Sequence, residues 1–415
     1  MTTTVIPPAA VGSGRPAHRD GNVLRWLGAY TASMVGDNVY YLALSWAAVQ
    51  AGTPAQAGLV MAVSAVPRAL LMLGGGVLAD RLGPRKVVIG SDAVRCGAVL
   101  AVAALLFTAD PGLWALTLLA VVFGAVDAVF MPAVGALPAR ITARDQLARV
   151  QGMRGLAIRF AAVVGAPLGG LGVALGGAAA AFGLAGLLIA VSVPLLVSVR
   201  TGEPAPDDRA ARRTPWRDLR DGLGHIRRHR VLAPLIAVIA LGDLGFVGPL
   251  NVGLTLLADQ RGWGASGMGW VLAGFGTGAG AAALLLAVRG RLPRAGSVAA
   301  VAIITGSVAI GALAQVADLA AAVGVALLVG LLAGLSGALC GALLQTVSDP
   351  AHLGRVSSVA GMVSLGLAPL SMPVTAAAIG WWGTGPVFAV SAAVCGLGGV
   401  VALCVRDLRL AELPG

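Results

Sequence analysis

Gly75-Gly76-Val77-Leu78-Ala79-Asp80-Arg81-Leu82-Gly83-Pro84-Arg85-Lys86 joins two long apolar stretches through one short basic turn. Gly83 and Pro84 suit a tight turn, and the glycines ahead of them let neighbouring helices approach closely. On either side run about 20 apolar residues, the length that crosses a bilayer as a helix. The same alternation recurs along the chain. Of 415 residues, 58% are apolar and 11% are charged, against about 25% charged in a soluble domain.

Working outward, twelve candidate spans emerge: 24–50, 56–78, 87–108, 112–137, 150–173, 176–199, 231–257, 264–288, 297–316, 320–345, 354–378 and 384–405. Backbone groups in hydrocarbon must bond internally, so these spans are predicted to be helices. The shorter alternating strands of a membrane β-barrel are not seen. The fold expected is therefore all-α, a polytopic membrane protein with twelve transmembrane helices in two six-helix bundles. Its parts are a disordered tail (1–22), a first bundle (23–199), a linker (200–230), a second bundle (231–405) and a short tail (406–415). The first 22 residues lack the apolar core of a secretion signal.

The gaps between spans alternate in charge. One set holds Arg81, Arg85 and Lys86, then Arg140, Arg144 and Arg149, the 200–230 segment, Arg289, Arg291 and Arg294, and Arg355. Both tails belong to it through Arg15, Arg19, Arg25, Arg406 and Arg409. The intervening gaps hold only Asp110, Asp259 with Arg261, and Asp318. Basic loops stay cytoplasmic, so both termini are expected in the cytoplasm. Within the linker, 216–230 can form an amphipathic surface helix. The net charge of +11 is dispersed among these loops and does not point to nucleic acid.

The two halves share short stretches. Gln146-Leu147-Ala148-Arg149-Val150 opens the fifth span and His352-Leu353-Gly354-Arg355-Val356 the eleventh, while the turn at Asp80 has a weaker match at Arg289-Gly290-Arg291-Leu292-Pro293-Arg294. Such a repeat suits alternating access, in which two bundles rock about a central cavity.

Charges inside the spans are the candidate functional groups, because an ionisable side chain in the bilayer faces a cavity or a partner. Asp37 lies about 13 residues into the first span, near the bilayer middle at 1.5 Å per residue. It is the first choice for proton coupling, with Asp127 and Asp243 as further candidates. Asp127 can share the proton or pair with Arg159, and Arg68 can pair with Asp37 or attract an anionic substrate group. Asp92 and Arg95, nearer the cytoplasmic face, read as part of a gate. Asp80 can accept backbone hydrogens at a helix N-terminus or pair with Arg144 or Arg149, contacts that would lock one conformation. In the second half Asn251 and Gln345 are the clearest buried polar candidates, and Met34, Phe246 and Phe275 are candidates for the cavity wall. Trp46, Trp263, Trp270, Trp381 and Trp382 read as interface anchors.

The quoted turn resembles the signature loop between the second and third helices of the major facilitator superfamily. It carries that pattern as Gly75 or Gly76, Asp80, Arg81, Gly83, Arg85 and Lys86. Within the superfamily the chain resembles the enterobactin-exporter-like and macrolide-efflux-like branch. That likeness rests on Gly36-Asp37 in the first helix, Pro67-Arg68 in the second and Asp92 with Arg95 in the third. Gly165-Ala166-Pro167-Leu168-Gly169-Gly170 is similar to the Gly-x-Pro-x-Gly-Gly element of proton-coupled drug exporters. Physically, Pro167 can bend the helix and Gly165, Gly169 and Gly170 permit tight contact near its outer end. Conformational gating is accordingly expected of Gly76, Asp80, Arg81, Gly83, Arg85, Lys86, Asp92, Arg95, Arg144, Arg149, Gly165, Pro167, Gly169, Gly170 and Arg355.

The resemblance implies secondary active transport. The expected activity is proton-coupled export of a small apolar or amphipathic compound, with import or facilitated passage of a polar metabolite as the alternative. No phosphate-cradling Gly-x-x-x-x-Gly-Lys-Ser/Thr stretch and no metal-ligand spacing is found, and the four cysteines and four histidines are scattered. The chain reads as a non-enzyme with no cofactor beyond the proton as coupling ion. Its expected partners are a small-molecule substrate and membrane lipid, its expected home the bacterial cytoplasmic membrane, and its expected working form a monomer. Cysteines placed singly at positions 81–86 and 140–149 should react with an impermeant thiol reagent from the same side of the membrane. Reaction from opposite sides would overturn the threading.

Overall fold

The computed structural model describes residues 17–109, 111–142, 146–201, 223–224, 226–289, 294–348 and 353–412, and every regular element among them is helical. In the first half α1 spans Gly21–Ala51, α2 Pro54–Val63, α3 Ala65–Leu82, α4 Pro84–Thr108, α5 Leu113–Ala136, α6 Pro138–Ile141 and α7 Leu147–Ser198. In the second, α8 spans Leu232–Gly248, α9 Leu254–Gln260, α10 Gly264–Arg289, α11 Ala295–Leu313, α12 Leu319–Val347, α13 Leu353–Trp382, α14 Thr384–Cys404 and α15 Arg406–Arg409. Among the described residues eight helical stretches are long and apolar enough to cross a membrane: Pro84–Thr108, Leu113–Ala136, Arg149–Ser198, Leu232–Gln260, Gly264–Leu286, Ala295–Leu313, Leu319–Val347 and Thr384–Cys404. The fold is thus that of an all-α, multi-spanning membrane protein.

Local chemistry explains the breaks. Pro67 has no N–H to offer the Val63 carbonyl, and the helical run over 54–82 divides at Ser64. Thr53 and Gln56 form a reciprocal capping box that starts α2. Within α7 the backbone stays helical through Pro167 and leaves the helix at Gly176 and Gly177, the latter at φ 69°, ψ −170°, a region essentially reserved for glycine. The chain doubles back there, so that a Cβ on Gly172 would lie 3.1 Å from the Ala181 Cα. The expected fifth and sixth spans are therefore the two arms of one 52-residue element. Pro249 interrupts the ladder between α8 and α9, and one π-helical turn, Pro249–Gly253, takes up the slack.

The turn at Gly83 forms as read, with φ 84° at Gly83 and Pro84 opening α4. Arg85 then reaches the end of α7, donating to the carbonyls of Leu196 (3.4 Å) and Val197 (2.5 Å), where a cation complements unsatisfied carbonyls. Arg81 and Lys86 are exposed, and Arg149 is exposed with Nη1 3.4 Å from Gln146 Oε1. The backbone of Gly76 and Asp80 belongs to α3 and that of Arg355 to α13. Their side-chain settings, all of Arg144 and most of the 216–230 stretch lie outside the described residues.

The buried apolar residues form three clusters. One draws on both halves, with Leu42, Leu116 and Phe182 beside Leu257, Val329 and Phe388. A second belongs to the first half (Trp26, Val87, Phe130, Leu196) and a third to the second half (Leu232, Leu339, Val356, Leu408). The shared cluster lies at the helix ends joined by charge-poor gaps, and the separate ones lie toward the arginine-bearing gaps. The halves are thus joined at one end and part at the other.

The joint is made by small residues in matched pairs. A Cβ on Gly58 of α2 would fall 3.1 Å from Pro373 Cα of α13, and one on Gly269 of α10 would fall 3.2 Å from Pro167 Cα of α7. Gly170 meets the Ala265 carbonyl in the same seam, with Gly165 packed on Asn38 and Gly169 on Val39 of α1. Ser45 and Thr255 hydroxyls meet at 2.5 Å, and Gln50 Nε2 donates to Asp259 Oδ1 at 2.8 Å. Within each half a second pair matches: Gly124 of α5 against the Ser64 carbonyl and Gly330 of α12 against the Phe275 carbonyl, each 1.9 Å from a built Cβ. Gly124→Ala should force α5 off the α2–α3 break and cost about 1–3 kcal/mol. The check is a thermal unfolding curve of detergent-purified protein, in which an unchanged midpoint would contradict this packing.

Candidate functional site

The first half buries one charged cluster. Along α1, Ser33, Asp37 and Tyr41 recur every fourth residue and share a face. Helix α4 adds Asp92 and Arg95, α5 adds Asp127, α3 adds Arg68 and the second arm of α7 adds Ser192. Arg95, with 0% of its surface exposed, is the centre. Its Nη1 donates to both oxygens of Asp37 (3.1 and 2.9 Å) and lies 3.4 Å from Asp127 Oδ1. Its Nη2 donates to Ser33 Oγ at 3.1 Å and pairs closely with Asp92 Oδ1. Asp92 is held further by Ser33 Oγ at 3.1 Å and Ser192 Oγ at 2.5 Å. Arg68 Nη2 donates to Asp127 Oδ2 at 2.7 Å and to Tyr41 Oη at 3.1 Å, and Tyr41 donates to the same Asp127 oxygen at 3.3 Å.

Charge counting describes what this arrangement can do. Three carboxylates face two guanidiniums, so the fully ionised cluster carries one excess negative charge. Taking ions out of water costs several kcal/mol each unless mutual attraction and hydrogen bonds offset it. The Phe130 ring lies 4.0 Å from the Arg95 Cζ and contributes its π face as a further partner. Arg95 Nε and Arg68 Nε remain buried without a hydrogen-bond partner. One proton would bring the cluster to neutrality, and no second proton is needed.

Several expectations are corrected. Arg68 pairs with Asp127, not with Asp37. Asp127 takes Arg68 and Arg95 as its partners, while Arg159 is exposed on α7 and contributes nothing to the cluster. Asp92 and Arg95 form no separate layer near one face, because Arg95 reaches Asp37 and Asp127 directly. Gln345 is exposed rather than buried. Asn251 is half-buried and spends its amide on the Val247 carbonyl (2.8 Å) beside the π-turn. Met34 packs against the first-half cluster of apolar residues. Phe246 and Phe275 pack on one another with ring centroids 5.5 Å apart. Trp270, Trp381 and Trp382 are exposed, as interface anchors are, whereas Trp46 and Trp263 are half-buried.

Three participants were not anticipated. Ser33 and Tyr41 stand four residues either side of Asp37, and that spacing alone would have exposed them. Ser192 carries no such signal, since only the fold brings it to Asp92.

Asp243 stands apart. It lies on α8 in the second half, in a cavity of about 250 Å3 whose walls come from α8, α11, α12 and α14. Among the described residues no group of three or more His, Cys, Asp or Glu is placed to hold a metal ion.

Long apolar helices packed into two halves that meet through an apolar seam, with a charged cluster buried inside the first, are the architecture of a membrane transporter of small molecules. The chain belongs to the Major Facilitator Superfamily, whose family profile matches residues 26–364. It is 29% identical over 234 residues to the enterobactin exporter EntS of Shigella boydii serotype 18 and of Escherichia coli O157:H7, covering 55% of this chain. The match spans 54% of those relatives, about half of their length. Among solved structures it is similar to a point variant of the nucleoside transporter NupG (TM-score 0.72, 13% identity, 93% of this chain and 100% of that one). It is also similar to a bacterial homologue of the human lysosomal transporter Spinster in an inward-facing, unoccupied state (TM-score 0.66, 14% identity, 96% and 97% covered).

Removing Arg95 would leave Asp37 and Asp92 without a cation and Asp127 with Arg68 alone. Arg95→Gln should destabilise the protein by about 3–5 kcal/mol, and adding Asp92→Asn should recover part of the loss. Unfolding midpoints of the single and double variants check this, and strictly additive destabilisation would refute the pairing.

Proposed function

We propose that this protein is a proton-coupled exporter of a small apolar or amphipathic compound, working by alternating access in the cytoplasmic membrane of a bacterium. The observation that carries the reading is the excess carboxylate in a cluster that joins α1, α3, α4, α5 and α7. With one proton bound the cluster is neutral and its ion pairs can loosen without exposing a net charge. Without that proton, Arg95 must hold Asp37, Asp92 and Asp127 together. Protonation therefore changes the balance of contacts among the helices that have to move. Asp37, reached by Arg95 alone among these charges, is assigned the exchangeable proton, and Asp127 shares it.

The threading proposed is twelve crossings in two six-helix units with both termini cytoplasmic. On it, α1, α2 with α3, the two arms of α7, and α13 join the other apolar helices as spans. The joined end of the halves then faces outward, and the opening between them faces the cytoplasm. The seam of Gly58, Gly165, Pro167, Gly169, Gly170 and Gly269, with the Ser45–Thr255 and Gln50–Asp259 contacts, is the outer gate. It must part for release. The basic turns at Arg81, Arg85 and Lys86 and at Arg149 and Arg355 belong to the inner gate, which must close. Similarity to proteins named as enterobactin exporters supports the outward direction. A membrane potential of 100 mV supplies about 2.3 kcal/mol per net inward charge, enough for roughly 50-fold accumulation of an uncharged substrate, whereas exchange of one proton for one cationic substrate draws on the pH gradient alone.

Asp37→Asn makes the cluster neutral permanently. The variant should fold and reach the membrane as the parent does, yet lose proton-driven uptake in everted vesicles, with a protonophore-treated parent as the reference for complete loss. Full uptake by the variant would sink the assignment.

A further inference from the structure

We propose that the cavity around Asp243 is a subsite for the positively charged nitrogen of a lipophilic ammonium compound, which names the substrate class of the exporter proposed above and rests on that reading. The cavity is lined mainly by aliphatic, aromatic and glycine residues, Phe246, Ile303 and Val329 among them, with Ser336 and the Cys340 and Cys395 thiols adding weak polarity. Among the described residues Asp243 is its one carboxylate, and no Lys, Arg or His lines it. The Asp243 Oδ2 is shut off from solvent and has no hydrogen-bond partner. The Ser364 hydroxyl of α13 bonds to the carboxylate. A charge withdrawn from water in this way needs a partner, and no cation among the described residues pairs with it.

The first half shows what is missing. Its charged cluster is built on α1, α4, α5 and the second arm of α7, with Arg68 added from α3, and the cavity on α8, α11, α12 and α14, which match the first four in chain order. Close contacts set the register. Gly36 of α1 meets Ile189 of α7 as Gly245 of α8 meets Cys395 of α14, and Gly124 and Gly330 meet their neighbouring carbonyls identically. On this register Phe246 stands where Asp37 stands, and Ala333 where Asp127 stands. Ala302 and Ile303 of α11 line the wall that faces them, the helix that matches the one carrying Arg95. The internal guanidinium of the first half is thus replaced by open space in the second, while one carboxylate remains about a turn away on α8. Space, one negative charge and the Phe246 ring, itself packed on Phe275 at 5.5 Å, fit an alkylated ammonium group, which an aromatic face also attracts.

Benzyltrimethylammonium is the probe, with neopentylbenzene, its uncharged isostere, as the control. Binding to the full chain in lipid nanodiscs, measured by titration calorimetry without any proton gradient, should be seen for the cation and be much weaker for the isostere. Asp243→Asn should weaken cation binding roughly 30-fold, the loss of one charge-assisted contact, and Asp243→Glu should retain most of it. Ile303→Trp, which fills the cavity and leaves the carboxylate untouched, should also abolish binding and guards against misfolding of the Asn variant. Equal affinity for the two probes, or undiminished cation binding in folded Asp243→Asn or Ile303→Trp, overturns the proposal. Binding that survives in a protein unable to perform proton-driven uptake would count against the exporter reading alone, and proton-driven uptake without cation binding would count against the subsite alone.

Discussion

One buried guanidinium organises the first half of this protein. Arg95 has no exposed surface and touches Asp37, Asp92, Asp127 and Ser33, which come from three helices. In hydrocarbon an unpaired charge is so costly that each carboxylate depends on this one residue or on Arg68. The packing of α1, α4 and α5 is therefore conditional on an electrostatic balance that a single proton alters. In a purely apolar bundle, helix positions would be indifferent to protonation. Here the same contacts that hold the helices together are the ones a proton can change.

The second constraint is steric. Between the halves, the seam is made where glycine allows backbone to meet backbone, at Gly58 against Pro373 and at Gly269 against Pro167. These backbone contacts sit within the apolar cluster that the halves share and hold few polar groups, so parting them leaves few such groups unsatisfied. The Ser45–Thr255 and Gln50–Asp259 contacts add direction, and Asp259, the one charged group among them, is exposed to solvent. The two halves share this device but not their interiors. The first concentrates its charges in one ion-paired network, whereas the second leaves a cavity and a carboxylate with no counter-ion among the described residues.

Legibility followed the range of the interaction. Helical spans, their order and the tight turn at Gly83 were readable because apolar length and turn chemistry are local properties. Asp37, Arg68, Asp92, Arg95 and Asp127 were each identifiable, since a charge in an apolar run is conspicuous. Their partnerships were not. Arg68 found Asp127 rather than Asp37, and Arg159, further into its span than Asp92 is, turned away from the cluster altogether. Depth along a span can be counted in residues, but the face that a side chain occupies depends on which neighbour the helix packs against. The break in α7 fell where the expected spans end at 173 and resume at 176, at Gly176 and Gly177, whereas Pro167, expected to bend the helix, stays within it.

From its sequence by itself this chain determined that it is a helical membrane protein, how charge is distributed about its spans, and which side chains pay for burial in lipid, because those properties follow from transfer free energies of single residues and short stretches. Tertiary structure alone decided that Asp37, Asp92 and Asp127 converge on Arg95, that Ser192 joins them from a hundred residues away, and that Asp243 is left beside an empty volume. Those are matters of distance and orientation between helices. In a bilayer they are set by small-residue contacts and paired charges, which no count along the chain can assign.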